Sequence, residues 1–321
     1  MTLVHPFSPL RLLAALLAAS LLMAVHSPRL QANFIEDWIA SFADTEIEFQ
    51  RSDSNVPFFP IAYVDLSRYN ETEVRREDES SLEYDLTSIS QAAVLPFTVG
   101  KRDAVFIGEW INLSRFDAVD SDETSFNALT IGIPFGWFGQ VSDDKQAAAF
   151  LMPLGHRTDI SGSDWSHEVM GGVFGRYISS KDFWWAYGFF FDVGLGDDLY
   201  LPYLGAAWDI NNEVTISAIL PWPAVLYAPD RDTLYRFGAR PSGASWVLEP
   251  DDDELYYNLD TWRLGASADF RMAGHFWFSI EAGLAGLRSL RVEGNDWKGY
   301  EFDIDESPYL TVGFNFRPEP P

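Results

Sequence analysis

From about Phe58 to the end of the chain, apolar and polar residues alternate in short runs separated by turn-forming or acidic stretches. In residues 201–210, Leu204, Ala206, Trp208 and Ile210 fall on one face and Tyr203, Gly205 and Asp209 on the other. Val214, Ile216, Ala218 and Leu220 oppose Glu213, Thr215 and Ser217. Further on, Trp262, Leu264, Ala266, Ala268 and Phe270 oppose Arg263, Ser267, Asp269 and Arg271, and Phe276, Phe278, Ile280, Ala282 and Leu284 oppose Ser279, Glu281 and Gly283. The last run puts Leu310, Val312, Phe314 and Phe316 on one face and Tyr309, Thr311, Gly313 and Asn315 on the other. A period of two is the strand period. Alternating segments of roughly ten residues, closed by an aromatic, are the mark of a barrel whose apolar face meets lipid.

The connections alternate as well. Short ones fall near residues 101, 143, 180, 211 and 273, and longer acidic ones near 75, 120, 160, 250 and 298. Tight turns at one end and longer loops at the other are the barrel habit. Only residues 220–233 break the rhythm, because Pro221-Trp222-Pro223 donates poorly to a strand ladder. With that tripeptide as an outer turn and Asp230-Arg231-Asp232 as an inner one, the count is about fourteen strands; a single bulged strand over 214–229 gives twelve. A soluble β-sandwich would alternate too, yet it needs neither the terminal aromatic nor unequal connections. The expected fold is therefore all-β, a transmembrane antiparallel β-barrel over residues 58–317 with a tail at 318–321. Residues 33–57 precede it, with Phe34, Ile35, Trp38, Ile39 and Phe42 at the spacing of a short amphipathic helix. That helix could rest on a leaflet surface, plug the barrel or pack at its end.

The first residues read as a targeting segment. Arg11 is followed by an apolar run over 12–25, and Leu30-Gln31-Ala32 offers a cleavage site with a small residue last, which predicts a signal peptide over 1–32. The run is shorter than the ~20 apolar residues of a spanning helix. Export of this kind points to the outer membrane of a bacterial cell. The chain has no Cys, which removes lipidated N-termini, disulfides, thiolate metal sites and Cys nucleophiles together. Loss of residues 1–32 takes away Arg11 and Arg29 and no acid, moving the formal charge from −26 to −28. Such a surplus argues against nucleic acid. An aromatic content of 16% excludes an acidic disordered chain and suits two interfacial girdles. Membrane lipids and lipopolysaccharide are the expected partners, with the oligomeric state left open.

Candidate chemistry is sparse. The stretch from His156 to His167 holds two His, Ser161, Ser163 and Asp164, from which a Ser-His-Asp hydrolase could be assembled, although triads are recognised by geometry. Residues 249–254 carry oxygen ligands without calcium-loop spacing and read as a solvated charge run, so neither metal nor cofactor is expected. Asn70-Glu71-Thr72 and Asn112-Leu113-Ser114 match glycosylation sequons by chance. The inward face is richer. Arg236 and Arg240 share a face, Arg263 and Asp269 lie on the next strand, Glu281 lies on the one after, and Asp209 and Glu213 flank a nearby turn. Charges at bilayer depth avoid lipid, so this set is expected to line the lumen, either as a selective constriction or as a network that braces the barrel.

Two resemblances add to this. Leu310, Val312, Phe314 and Phe316 resemble the C-terminal signal read by bacterial barrel-assembly machinery, except that Arg317 and four further residues trail after the aromatic. Leu201-Pro-Tyr-Leu-Gly205, the run from Val214 to Pro221 and Glu306-Ser-Pro-Tyr-Leu-Thr-Val-Gly313 resemble an uncharacterised family of bacterial outer-membrane β-barrels, catalogued as a domain of unknown function. The likeness implies the barrel over 58–317 and brings no substrate or active site. The expected function is a passive channel for small solutes or ions, with a non-conducting structural barrel second and a lipid hydrolase third. Acidic outer loops at the mouth would favour cations, against the arginines of the lumen.

Overall fold

The computed structural model describes residues 40–42, 44–47, 54–75, 81–119, 125–160, 163–194, 198–248, 255–286, 289–294 and 297–318. The expected signal peptide, most of the expected N-terminal helix and the acidic stretch 249–254 lie outside them. The chain forms two compact units, residues 1–45 with 320–321, and residues 46–319. In the first, residues 40–42 make a helical turn that ends where the Asp44 amide donates to the Ala40 carbonyl at 3.2 Å.

The second unit is one sheet. Among the described residues its strands are β1 (Ala62–Arg75), β2 (Ser81–Val99), β3 (Asp103–Ala118), β4 (Phe126–Gly132), β5 (Phe135–Ser142), β6 (Lys145–Thr158), β7 (Ser166–Ile178), β8 (Phe183–Val193), β9 (Leu199–Asp209), β10 (Val214–Leu220), β11 (Ala224–Tyr227), β12 (Thr233–Leu248), β13 (Leu255–Ala273), β14 (Phe276–Gly286), β15 (Ser289–Gly294), β16 (Trp297–Ile304) and β17 (Ser307–Phe316). Three pairs, β4 with β5, β14 with β15 and β16 with β17, each act as one stave, giving a closed antiparallel barrel of fourteen staves. Closure is made by β1 on β17, in a register that sets Ala62 opposite Phe316 and Tyr69 opposite Tyr309.

The interrupted staves have a local cause where β4 gives way to β5. Pro134 has no amide to donate, so its carbonyl accepts instead from Gly108 at 2.8 Å, and the Ile133 amide turns to the Pro153 carbonyl at 3.2 Å. Pro221 to Pro223 forms the connection between β10 and β11, and residues 228–232 turn between β11 and β12. Short turns gather at one end of the barrel, here the turn end. Gly100 (φ 72°) and Gly274 (φ 54°) sit in two of them, in the left-handed region that L side chains rarely adopt.

The outside of the barrel is apolar. Leu95, Ile107, Val173, Leu204, Phe237, Leu264 and Leu310 are among its exposed side chains. Close to the turn end, Tyr177, Trp185, Trp208, Tyr227, Tyr235, Phe270 and Phe276 are exposed as well. A continuous apolar belt with aromatics at its margin is stable only against lipid. The inward positions are mixed. Ser67 and Thr311 hydrogen-bond at 2.8 Å across the closing seam, while Tyr84, Phe116 and Phe126 form an aromatic cluster nearer the loop end.

Candidate functional site: the barrel lumen

The lumen encloses a cavity of about 1140 Å³. Its lining runs from Leu234, Asn315 and Arg317 near the turn end to Asp192 and Trp222 near the loop end. A charged wall is built by β12, β13, β14, β17 and β1. Arg240 donates to Glu281 at 2.8 Å, and the Tyr309 hydroxyl donates to the other oxygen of the same carboxylate at 2.5 Å. The Arg263 guanidinium lies over the rings of Tyr69 (4.9 Å) and Tyr309 (5.1 Å). Its Nε is buried without a hydrogen-bond partner. Among the described residues Arg236 donates to the Ala239 carbonyl alone, at 3.5 Å. Asp65 faces the same space.

Alternation along the strands therefore brings together Arg236, Arg240, Arg263 and Glu281. Asp269 belongs to a neighbouring group, where it accepts from Arg317 at 2.8 Å and from Ser279. Both partners of the Asp269–Arg317 pair are deeply buried, at 8% and 7% exposure. Arg317 also covers the fully buried Trp277 ring at 5.1 Å and donates to Asn315. The residue that trails after the terminal aromatic is thus folded inward as a clasp. Asp209 is buried but separate, accepting from Thr215 at 2.5 Å. Glu213 does not join either group; it is exposed in the turn before β10.

The opposite wall is aromatic. Phe174 meets Tyr203 edge-on at 4.8 Å, Tyr203 lies 5.9 Å from Trp222, and Phe190 lies 6.4 Å from Trp222. Arg176 caps the Trp184 ring at 4.4 Å. This wall is hard to read from the pattern, because β8 reads Phe-Trp-Trp-Ala-Tyr-Gly-Phe-Phe-Phe and carries aromatics on both faces. The one available signal was that alternate residues of β7 and β9 place Phe174 and Tyr203 opposite the outward set.

Both ends of the lumen are narrowed. At the turn end the Glu46 amide donates to the Lys101 carbonyl at 2.7 Å, and Arg102 donates to the Glu46 carboxylate at 2.6 Å. The Asn55 amide donates to the Asn212 carbonyl at 2.7 Å and its side chain to Ala228 at 3.1 Å. Those two rims stand six staves apart in a fourteen-stave barrel, almost diametrically opposed. The chain then returns to β1, where the Val94 amide donates to the Ile61 carbonyl. Residues 46 and 55 are thus fixed at opposite rims of the mouth, and Ile47, Val56 and Phe58 line the cavity. The Arg102 guanidinium, by hydrogen bond and by charge, holds the Glu46 carboxyl below its ordinary value. Toward the loop end, Tyr257 and Leu259 of β13 pack on Phe116 and Ala128 of β3 and β4, reaching across the interior.

The hydrolase candidates do not converge. His156 is 3% exposed and faces inward, with Nδ1 3.0 Å from Thr130 Oγ1 and Nε2 3.5 Å from Glu168. His167 is exposed on the other side of the sheet. Ser163 accepts from the Thr158 amide and Asp164 from the Trp165 amide, both inside the loop. Ser161 lies outside the described residues. Among the described residues no group of three or more His, Asp and Glu is placed to hold a metal ion.

No protein-family model matches the chain, and no curated protein matches it either. Solved structures similar to it include the toluene transporter TodX of Pseudomonas putida, with a TM-score of 0.33, 8% identity, 79% of this chain and 88% of that chain covered. A FadL homologue of Pseudomonas aeruginosa is similar at a TM-score of 0.36 and 9% identity, covering 86% of this chain and 98% of that one. The translocator domain of the autotransporter NalP of Neisseria meningitidis is similar at 0.35 and 9%, covering 91% and 97%.

Proposed function

We propose that this chain is a passive channel for small solutes in a bacterial outer membrane, exported by a cleaved signal and oriented with its turn end toward the periplasm. One observation carries the reading: an apolar, lipid-facing barrel encloses a cavity of about 1140 Å³ lined by arginines, carboxylates and aromatics rather than by a close-packed core. A barrel that only anchors or braces can fill its interior with side chains. Leu310, Val312, Phe314 and Phe316, all on the outer face of the closing strand, form in this reading the segment that assembly machinery recognises. The resemblance of the sequence to an uncharacterised barrel family agrees with this reading and names no solute. Purified protein in a planar lipid bilayer is expected to give stepwise conductance. Silence both in the native protein and in a variant lacking the Glu46 and Asn55 side chains would overturn the reading.

A second reading is supported by a specific arrangement. Ile47, Val56 and Phe58 at the turn end and the packing of Tyr257 and Leu259 on Phe116 both narrow the lumen, as a non-conducting structural barrel would require. The same conductance measurement separates the two.

A further inference from the structure

We propose that the lumen is a binding site for an organic anion with a flat apolar body, of which an aromatic carboxylate is the simplest form. The proposal rests on the channel reading in using the same lumen, but it concerns affinity and not flux.

The first ground is cationic. Arg236 makes one long contact to a backbone carbonyl, and Arg263 makes none beyond the faces of Tyr69 and Tyr309. Neither has an ion-pair partner among the described residues. With Arg240 they place three guanidiniums before two carboxylates, Asp65 and Glu281, and Glu281 is already taken by Arg240 and Tyr309. One positive charge is left over on this wall, while the cavity as a whole is lined by five arginines and five carboxylates, so the surplus is local. A guanidinium out of bulk water without a partner is costly, and its planar fork matches the two oxygens of a carboxylate. The flanking tyrosine rings hold Arg263 in place, so a ligand would not have to order it.

The second ground is the aromatic wall. The lumen of a water-filled barrel is ordinarily polar. Here Phe174, Phe190, Tyr203 and Trp222 face the same cavity as the arginines, and their edge-on contacts leave further edges and faces open to another ring. These rings are inside the barrel and cannot serve the lipid interface. An apolar body laid on them would remove their surface from water. Either wall alone would suit a different ligand: the arginines an inorganic anion, the rings a neutral hydrocarbon. Their presence in one cavity selects a molecule having both parts.

The test is titration calorimetry on the folded protein in detergent micelles, with protein-free micelles subtracted. Three probes are used: biphenyl-4-carboxylate, its neutral counterpart biphenyl-4-methanol, and acetate. The carboxylate is expected to bind about tenfold or more tightly than the alcohol, and excess acetate is not expected to displace it. Arg236→Gln combined with Arg263→Gln should abolish the advantage of the carboxylate while leaving the alcohol unchanged. Tyr203→Ala should weaken both biphenyls, and Lys181→Ala, in an exposed turn, should change nothing. Heat-modifiable migration on gels reports folding; if the double variant fails to fold, Arg236→Gln alone, at a half-buried position, carries the test with a smaller loss. Equal affinity for carboxylate and alcohol, displacement by acetate, or no binding at all would each overturn the proposal. Binding without conductance leaves it standing and removes the channel reading; conductance without binding does the reverse.

Discussion

Arg240 donates to Glu281 at 2.8 Å, with the carboxylate almost buried and the guanidinium partly open to the lumen. The same carboxylate also accepts from Tyr309, so both its oxygens are taken and it makes no direct contact with Arg263 on the neighbouring strand. Acidic outer loops alone would predict preference for cations, but on the wall built by β12, β13, β14, β17 and β1 guanidiniums outnumber carboxylates, which favours anions there. The geometry of the lumen moves the expectation to anions. In a salt gradient across a planar bilayer the reversal potential should have the anion-selective sign. Arg263→Ser should lower the anion-to-cation permeability ratio by about twofold or more, and Glu281→Gln, which frees Arg240, should raise it. Cation selectivity that persists in Glu281→Gln would show that the loops, and not the lumen, set the preference.

Phe316 closes the apolar face of the last strand, opposite Ala62 on one side and Phe276 on the other, with its ring 5.4 Å from that of Phe276. Near the membrane interface an acidic substitution costs a barrel under about 1 kcal/mol. Thermodynamic loss alone would therefore leave most of the protein in place. If the strand is also the signal read during assembly, Phe316→Asp should accumulate in the periplasm in a protease-sensitive form. Normal outer-membrane levels of the variant would remove the assembly role from this strand.

Much of the barrel was legible because its two periodicities are local. A period of two and the alternation of short and long connections need only neighbours in sequence, and Pro221-Trp222-Pro223 marks its own turn. What could not be read was the stagger between strands. Tyr69 meets Tyr309, and Arg240 meets Glu281, only because the register of β1 on β17 and of β12 through β14 is what it is. The inward turn of Arg317 could not be read for a related reason: beyond the last alternating residue no pattern says whether a side chain turns in or out. The rule against proline in strands was also too strict, since Pro96, Pro153, Pro202 and Pro241 all lie within staves.

At the turn end, Glu46 and Asn55 are anchored to opposite rims. Glu46→Ala together with Asn55→Ala removes the side-chain anchors, and single-channel conductance is expected to rise about twofold or more if Ile47, Val56 and Phe58 narrow the path. The pH dependence has a definite sign. The Glu46 carboxyl is held below its ordinary value of 4.5 by Arg102, so the contact is fully present above that value and is lost as pH falls through the lowered one. Conductance should be flat between neutral pH and about pH 5 on this account and rise only on further acidification. Glu46→Gln should flatten that acid limb, and an unaltered limb would assign it to another group.

The signal segment has its own measurement. Ala32 pairs a small final residue with a follower that is not proline, so N-terminal sequencing of the mature protein should begin at Asn33. A start at Pro28 would show that cleavage follows Ser27 instead.

The buried clasp between Arg317 and Asp269 yields the sharpest stability experiment. Both side chains are nearly inaccessible, Arg317 shields Trp277, and its amide donates to the His275 carbonyl at 2.9 Å, so the chain just past the last strand is tied to the turn before β14. Truncating one partner of such a pair leaves the other charge buried and uncompensated, which costs about 3–5 kcal/mol. Arg317→Ala is therefore expected to lower the urea midpoint for unfolding from lipid vesicles well beyond what the loss of one surface side chain would do. Replacing both partners, Arg317→Met with Asp269→Asn, removes the stranded charge and should recover most of that loss. Equal destabilisation by the single and the double replacement would mean that the contact with Trp277, rather than the ion pair, holds the terminus in place.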